Sequence, residues 1–146
     1  MGCRTWIAAL GTAALLASGA AYAQGNVIAE RREGLKRMGQ HMEAMKPISD
    51  SRGDPRPAVA RIDDMIVFFQ TLPSRFPAGS GTGDTKALPA IWQEFARFEQ
   101  ANTALVGQLN TLRAAAAAGD GAAFATAYQA TGPQFCGGCH RPFRAR

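Results

Sequence analysis

Apolar residues recur along this chain at steps of three and four almost throughout, and no strand-like run stands out. Ile28, Leu35 and Met42 are seven apart, as are Arg31, Met38 and Met45. Interleaved, the two series form one stripe along a first helix, which Pro47 is expected to end. Asp54-Pro55 offers the second helix an Asx N-cap followed by proline at the first helical position. That helix carries Val59, Ile62, Ile66 and Phe69 and stops at Pro73. A third begins near Leu88-Pro89 and presents Ile91, Phe95, Phe98, Leu105, Leu109 and Leu112. It fades through an alanine run into Gly119, a suitable C-cap, and at roughly 28 residues would be ~42 Å long. Asp120 can cap the fourth helix, which carries Phe124, Tyr128 and Phe135, with Gly132-Pro133 loosening it near its end. Four amphipathic helices without a strand signal predict an all-α fold: an antiparallel four-helix bundle, left-handed, running up-down-up-down.

Residues 1–23 depart from this pattern and read as a secretory signal. Arg4 supplies the positive charge, Trp6 to Leu16 the short apolar stretch, and Ala21-Tyr22-Ala23 the cleavage site. A membrane span needs ~20 apolar residues, and this stretch breaks at Ser18-Gly19, so none is expected in the mature form. Cleavage after Ala23 leaves residues 24–146, enough for one domain with one core. It also removes one of the 16 basic residues, leaving 15 against 11 acidic ones, a net charge of +4. That modest basicity suits encounter with an acidic redox partner. It is too diffuse for nucleic acid, since no Lys/Arg stripe or aromatic stacking set accompanies it.

The candidate chemistry lies at the end of the fourth helix, in Cys136-Gly137-Gly138-Cys139-His140. Two thiols three apart, followed at once by an imidazole, suit covalent haem attachment: each thiol adds to one haem vinyl group and the histidine coordinates iron. Metal ligation here is therefore assigned to His140. A thioredoxin-type motif would need a preceding strand, and a structural zinc site would need about four ligands where only His41 could join. Because few residues follow the motif, the opposite haem face must come from upstream helices. An exported pair of cysteines could instead form a disulfide, which leaves a haem-free helical disulfide or metal-binding protein as an alternative.

Arg31 is the one charge in the first stripe. Buried without a partner it would be very costly, so it either snorkels to water or meets an anion. With a haem motif in the chain, a haem propionate is the expected anion, held through two guanidinium hydrogen bonds. Met38, Met42 and Met45 share the stripe and are core filler by default, although a thioether on iron would make a six-coordinate, low-spin electron carrier. His41 points away from the stripe and reads as a surface residue. Trp92, Phe95 and Phe98 are candidate pocket walls, although aromatic residues at helical spacing are core by default. Arg144, one turn beyond His140, could approach the proximal haem face or belong to an exposed basic tail. The Gly-rich segment Phe76 to Asp84 invites a phosphate-loop reading, but no strand precedes it and no Gly-Lys-Ser/Thr follows, so a plain connection is expected.

Taken together, Arg31-x-x-x-Leu35, the Phe76 to Asp84 loop, Leu88-Pro89-Ala90-Ile91-Trp92 and the final Cys136-Gly-Gly-Cys139-His140-x-x-Phe143-Arg144 resemble the cytochrome c′ family, the class II c-type cytochromes. The resemblance runs from about Asn26 to the end of the chain. It implies a periplasmic four-helix bundle with one haem c, bound through Cys136 and Cys139 and ligated by His140, with five-coordinate, high-spin iron. Low-spin relatives place a ligating methionine where this chain has Leu35, which implies an open, apolar sixth site plugged by Leu35. The same resemblance puts Arg31 on a propionate, Arg32, Asp84 and Thr85 along the haem edge, Phe76 and Phe98 with Leu35 on the distal side, and Arg144 on the proximal face. A homodimer through the first two helices is common in the family. Two departures are Met42, where an aromatic is frequent, and Pro133, which interrupts the helix before the motif.

The expectation is a non-enzymatic, single-electron haem protein that binds NO or CO distally. An apolar distal set offers bound O2 no donor, so O2 binding should be poor, and displacement of Leu35 should make gas binding slow. A peroxidase would need a distal acid–base residue, and none sits on the first stripe.

Overall fold

The structure is a computed structural model that describes residues 12–146. Arg4 and the first part of the expected leader lie outside the described residues. Four long segments form the fold. α1 spans Thr12–Ser51 and α2 spans Val59–Thr71. A short α3, Ala90–Gln93, leads into α4, Phe95–Ala117. α5, Gly121–Ala130, runs through a π turn, Thr131–Cys136, into α6, Gly137–Phe143. α1 packs on α2 and α5, and α4 packs on the same two, so each long helix has two neighbours in a closed square. With short connections from α1 to α2 and from α4 to α5, and a longer one through residues 72–94 from α2 to α4, this is the antiparallel four-helix bundle. Among the described residues the only strand-type pairing is one bridge between Ala87 and Arg144.

The predicted stripes form its core. Ile28, Arg31, Met38 and Met45 of α1 are buried, as are Ile62, Ile66 and Phe69 of α2, and Phe98, Leu105, Leu109 and Leu112 of α4. The capping signals hold as well. Asp54 Oδ1 accepts from the Arg56 amide (3.1 Å) at a 3₁₀ turn that opens α2, and Asp120 Oδ1 accepts from the Ala123 amide (2.9 Å). Gly119 ends α4 with φ +71°, the left-handed conformation that glycine adopts at least cost.

Three boundaries differ from expectation. Pro47 does not end α1, which continues to Ser51. Proline forfeits its own amide bond and crowds the preceding turn, but Met45 is fully buried and Ile48 packs against the core, so packing carries the helix a further turn. Ser51 Oγ then donates to the carbonyl of Pro47 (2.9 Å), and Arg52, at φ +52°, turns the chain out. The third helix is not continuous either: Glu94 leaves helical geometry (φ −124°, ψ 43°) and separates α3 from α4. α3 is thereby free to face the 76–81 segment, where the Trp92 indole donates to the carbonyls of Phe76 (3.0 Å) and Pro77 (3.1 Å). Gly81 admits this ring, because a Cβ there would lie 2.8 Å from it. Finally, the loosening expected at Gly132-Pro133 is a full π turn. The missing Pro133 amide favours a wider turn, which is a common insertion inside helices near functional sites.

Candidate functional site

The π turn delivers the cysteine motif onto the bundle's interior. Cys136 closes it, and Cys139 and His140 follow in the first turn of α6. Cys136 and His140, four residues apart, share a helix face. All three line a cavity of about 840 Å³ between α1, α2, α4 and α5–α6. That volume falls within the ~300–1,000 Å³ typical of ligand and cofactor sites. Both cysteines are free thiols, so the two sulfurs are not joined in a disulfide. Burial raises the Cys136 thiol and pushes that of Cys139 up to about 11, the neighbouring Cys136 adding to the latter, so both sulfurs stay protonated at neutral pH. His140 is exposed to the cavity space, and partial burial, followed by the charge of Arg144, lowers its pKa. A neutral imidazole is the form that binds a metal.

Most of the remaining lining is aliphatic, thioether or aromatic. α1 contributes Leu35, Met38 and Met42; α2 contributes Met65, Phe69 and Leu72; Phe76, Ile91, Phe98 and Leu105 continue the wall. The α2 contribution was not read from the sequence as part of a site, although Met65, Phe69 and Leu72 follow helical spacing. Trp92 and Phe95 do not line the cavity and pack against the core, the default for aromatics at helical spacing. Trp92 packs against Phe76 (centroids 6.2 Å apart) and Phe95 against Phe98 (5.8 Å), both behind the wall. His41 is absent from the lining too. It is held between α1 and α2 by Asp64 (2.8 Å) and half-enclosed there, so it is less of a surface residue than its position suggested.

One edge of the cavity is polar. Arg31, Arg32, Asp84, Thr85 and Arg144 all line it, and so share one space with Cys136, Cys139, His140, Leu35, Phe76 and Phe98. Arg31 is only 2% exposed, which overturns the snorkelling alternative. Its recorded partners are neutral oxygens. Nη1 donates to Ser80 Oγ (2.8 Å) and the Arg75 carbonyl (3.4 Å), and Nη2 donates to the Ser80 carbonyl (2.7 Å) and Thr85 Oγ1 (2.7 Å). The guanidinium also sits 4.5 Å over the Phe76 ring. Burial lowers its pKa, yet it remains charged at neutral pH. The 76–84 loop is therefore more than a connection: Arg31 clamps it through Ser80, a fully buried residue with no sequence signal of its own. Arg32, beside it, faces out and pairs with Asp84.

A cleft of this size, mostly apolar with its charged residues gathered at one rim, and with two unpaired thiols and a neutral imidazole on a single helical wall, fits a porphyrin bound through sulfur. Bundle and site together define the class of helical c-type cytochromes. The comparisons give the family. Its sequence profile, described as Cytochrome C′, matches residues 26–144, and the chain belongs to the cytochrome c′ family. Cytochrome c′ from Rhodopseudomonas palustris is 40% identical over 99 residues, 64% of this chain and 66% of that protein. Cytochrome c-556 from Agrobacterium tumefaciens is 34% identical over 120 residues, 80% of this chain and 96% of that protein. Among solved structures, a reduced arginine-to-alanine variant of Alcaligenes xylosoxidans cytochrome c′ superposes with a TM-score of 0.76 at 25% identity, covering 84% of this chain and 97% of that one. A nitric oxide complex of a leucine-to-isoleucine variant of that protein gives 0.75 at 25% identity, with the same coverage. As a member of this family the chain carries one covalently attached haem c.

Proposed function

We propose that this chain is an exported, periplasmic haem c protein, which shuttles single electrons and binds NO or CO at a five-coordinate, high-spin iron. The observation that carries this reading is the composition of the cavity. One wall holds Cys136, Cys139 and His140, and Leu35, Phe76 and Phe98, the side chains expected over the sixth site, carry no atom that could ligate iron or donate a proton. When bound, the haem supplies one-electron Fe(III)/Fe(II) chemistry and an axial site for a small ligand. The chain's own residues do the rest. Cys136 and Cys139 fix the porphyrin on a helix face through thioether links. His140, kept neutral by partial burial and by Arg144, would ligate the iron. Leu35 fills the sixth site with aliphatic carbon, so an incoming gas displaces a side chain. Arg31 holds the 75–85 segment in place as the haem edge, with Arg32, Asp84 and Thr85 along that rim. The solved NO complexes of cytochrome c′ relatives support gas binding by this fold.

A pyridine haemochrome spectrum tests the haem and its two thioether links. Electron paramagnetic resonance of the ferric protein then tests the coordination state. A high-spin signal is expected, and a fully low-spin, sulfur-ligated one would refute the five-coordinate reading. The second reading, a six-coordinate carrier, is favoured by one observation: Met38 and Met42 both line the cavity. The same spectrum decides between the two.

A further inference from the structure

Basic side chains away from the cavity are mostly matched with carboxylates: Arg37 with Asp64, Lys46 with Asp50, Arg56 with Asp54, and Arg113 with Asp63. The cavity mouth differs. Lys86, Arg141, Arg144 and Arg146 are all exposed, and none has a carboxylate within ion-pair distance among the described residues. Their grouping is built into the backbone. The Leu88 amide donates to the Phe143 carbonyl (3.0 Å) and the Ala145 amide to the Lys86 carbonyl (2.8 Å), so a two-strand clasp sets Lys86 beside the arginine tail. Around the cavity itself, the cations Arg31, Arg32, Lys36, Lys86 and Arg144 outnumber the anions Glu33 and Asp84, five against two. Two haem carboxylates would still leave the rim net positive. Gathering unmatched like charges costs repulsion, and a single-sign field of this kind acts to steer a charged partner.

We propose that this rim is an electrostatic docking surface for the acidic face of a protein redox partner, centred on Lys86, Arg141 and Arg144. The inference rests on the electron-carrier reading above and adds where the electron leaves and what charge receives it. A protein partner is favoured over nucleic acid because Lys86 and Arg144 of the patch line the redox cavity and the patch has no exposed aromatic ring for base stacking: Phe143 beside it is 3% exposed.

The test uses the haem-loaded, reduced protein and two one-electron oxidants of opposite charge, hexacyanoferrate(III) and hexaammineruthenium(III). In each reaction haem Fe(II) becomes Fe(III) and the reagent's metal gains that electron. Two double variants carry the same change in net charge: Lys86→Glu with Arg141→Glu at the mouth, and Arg52→Glu with Arg113→Glu at the opposite end. At 10 mM ionic strength the mouth variant should react ~10-fold more slowly with hexacyanoferrate and faster with hexaammineruthenium, an effect of the size expected for lost steering. The opposite-end variant should change little, and added salt should erase the difference as screening shortens. Equal effects of the two variants would show a net-charge effect and overturn the patch. Loss of single-stranded DNA or anionic-vesicle binding in the mouth variant, with unchanged hexacyanoferrate rates, would reassign it to a polyanion and also overturn the proposal. A wild-type protein inert to both reagents would instead overturn the electron-carrier reading, and the docking surface with it.

Discussion

Two adjacent arginines make opposed predictions, because one is buried in the cavity wall and the other lies on its rim. Replacing Arg31 with methionine removes the donors to Ser80 Oγ, the Ser80 carbonyl, Thr85 Oγ1 and the Arg75 carbonyl. Two of these keep some satisfaction, since Ser80 Oγ still donates to the Pro77 carbonyl (2.8 Å) and Thr85 Oγ1 still accepts from the Ala87 amide (3.1 Å). The Ser80 carbonyl belongs to a residue with no exposure and is orphaned outright. One orphaned buried acceptor costs ~1–3 kcal/mol, and the weakened bonds add ~0.5–1.5 kcal/mol each. Relief of the buried charge offsets part of this, so the net expectation is a loss of ~2–4 kcal/mol. Replacing Arg32 removes an exposed ion pair with Asp84, worth ~0–1 kcal/mol. Guanidinium unfolding of the haem-loaded variants measures both losses, and limited proteolysis reads the 76–84 loop, which should be cut faster only in Arg31→Met. If the two variants lose stability equally, or if the Arg31 variant's loop resists cleavage like the wild type, Arg31 is not the clamp.

Three further outcomes follow from the cavity. Leu35→Ala should speed CO association by ~10-fold or more if the side chain must be displaced, on the scale of ~1.4 kcal/mol per tenfold in rate, as measured by flash photolysis; an unchanged rate would remove the plug. Cys139→Ser should leave a single thioether, shifting the pyridine haemochrome band, and Cys136→Ser with Cys139→Ser should release haem to acidified organic solvent. The Arg144 cation helps hold the His140 pKa down, so at a given acidic pH it reduces competition from protons for the ring nitrogen. In Arg144→Leu that pKa rises and protons compete at higher pH. The midpoint for acid loss of the histidine ligand should therefore move up the pH scale, which an absorbance titration of the ferric protein will show; a downward shift would contradict the sign.

The line between what the chain spells out and what the fold decides follows the range of each interaction. Helical spacing, the Asp54 and Asp120 caps, the Gly119 stop and Cys136-x-x-Cys139-His140 are legible because each depends on residues within a few positions of one another, where backbone geometry enforces contact. Pro47 misled for the complementary reason: its local penalty is real, but packing of Met45 and Ile48 into the core outweighs it. Trp92 could be read as wall or core from its spacing, and its place behind the wall is decided by Gly81 and by two carbonyls some fifteen residues upstream. The fate of Arg31 is the clearest case. Its position in an apolar stripe left it either snorkelling to water or buried with partners, and only long-range closure of the bundle brought Ser80 and Thr85, about fifty residues away, to its terminal nitrogens. Local order is thus written in the sequence, whereas the cavity, its rim of unmatched charge and the clamp on its loop exist only once distant segments share the same low-dielectric space.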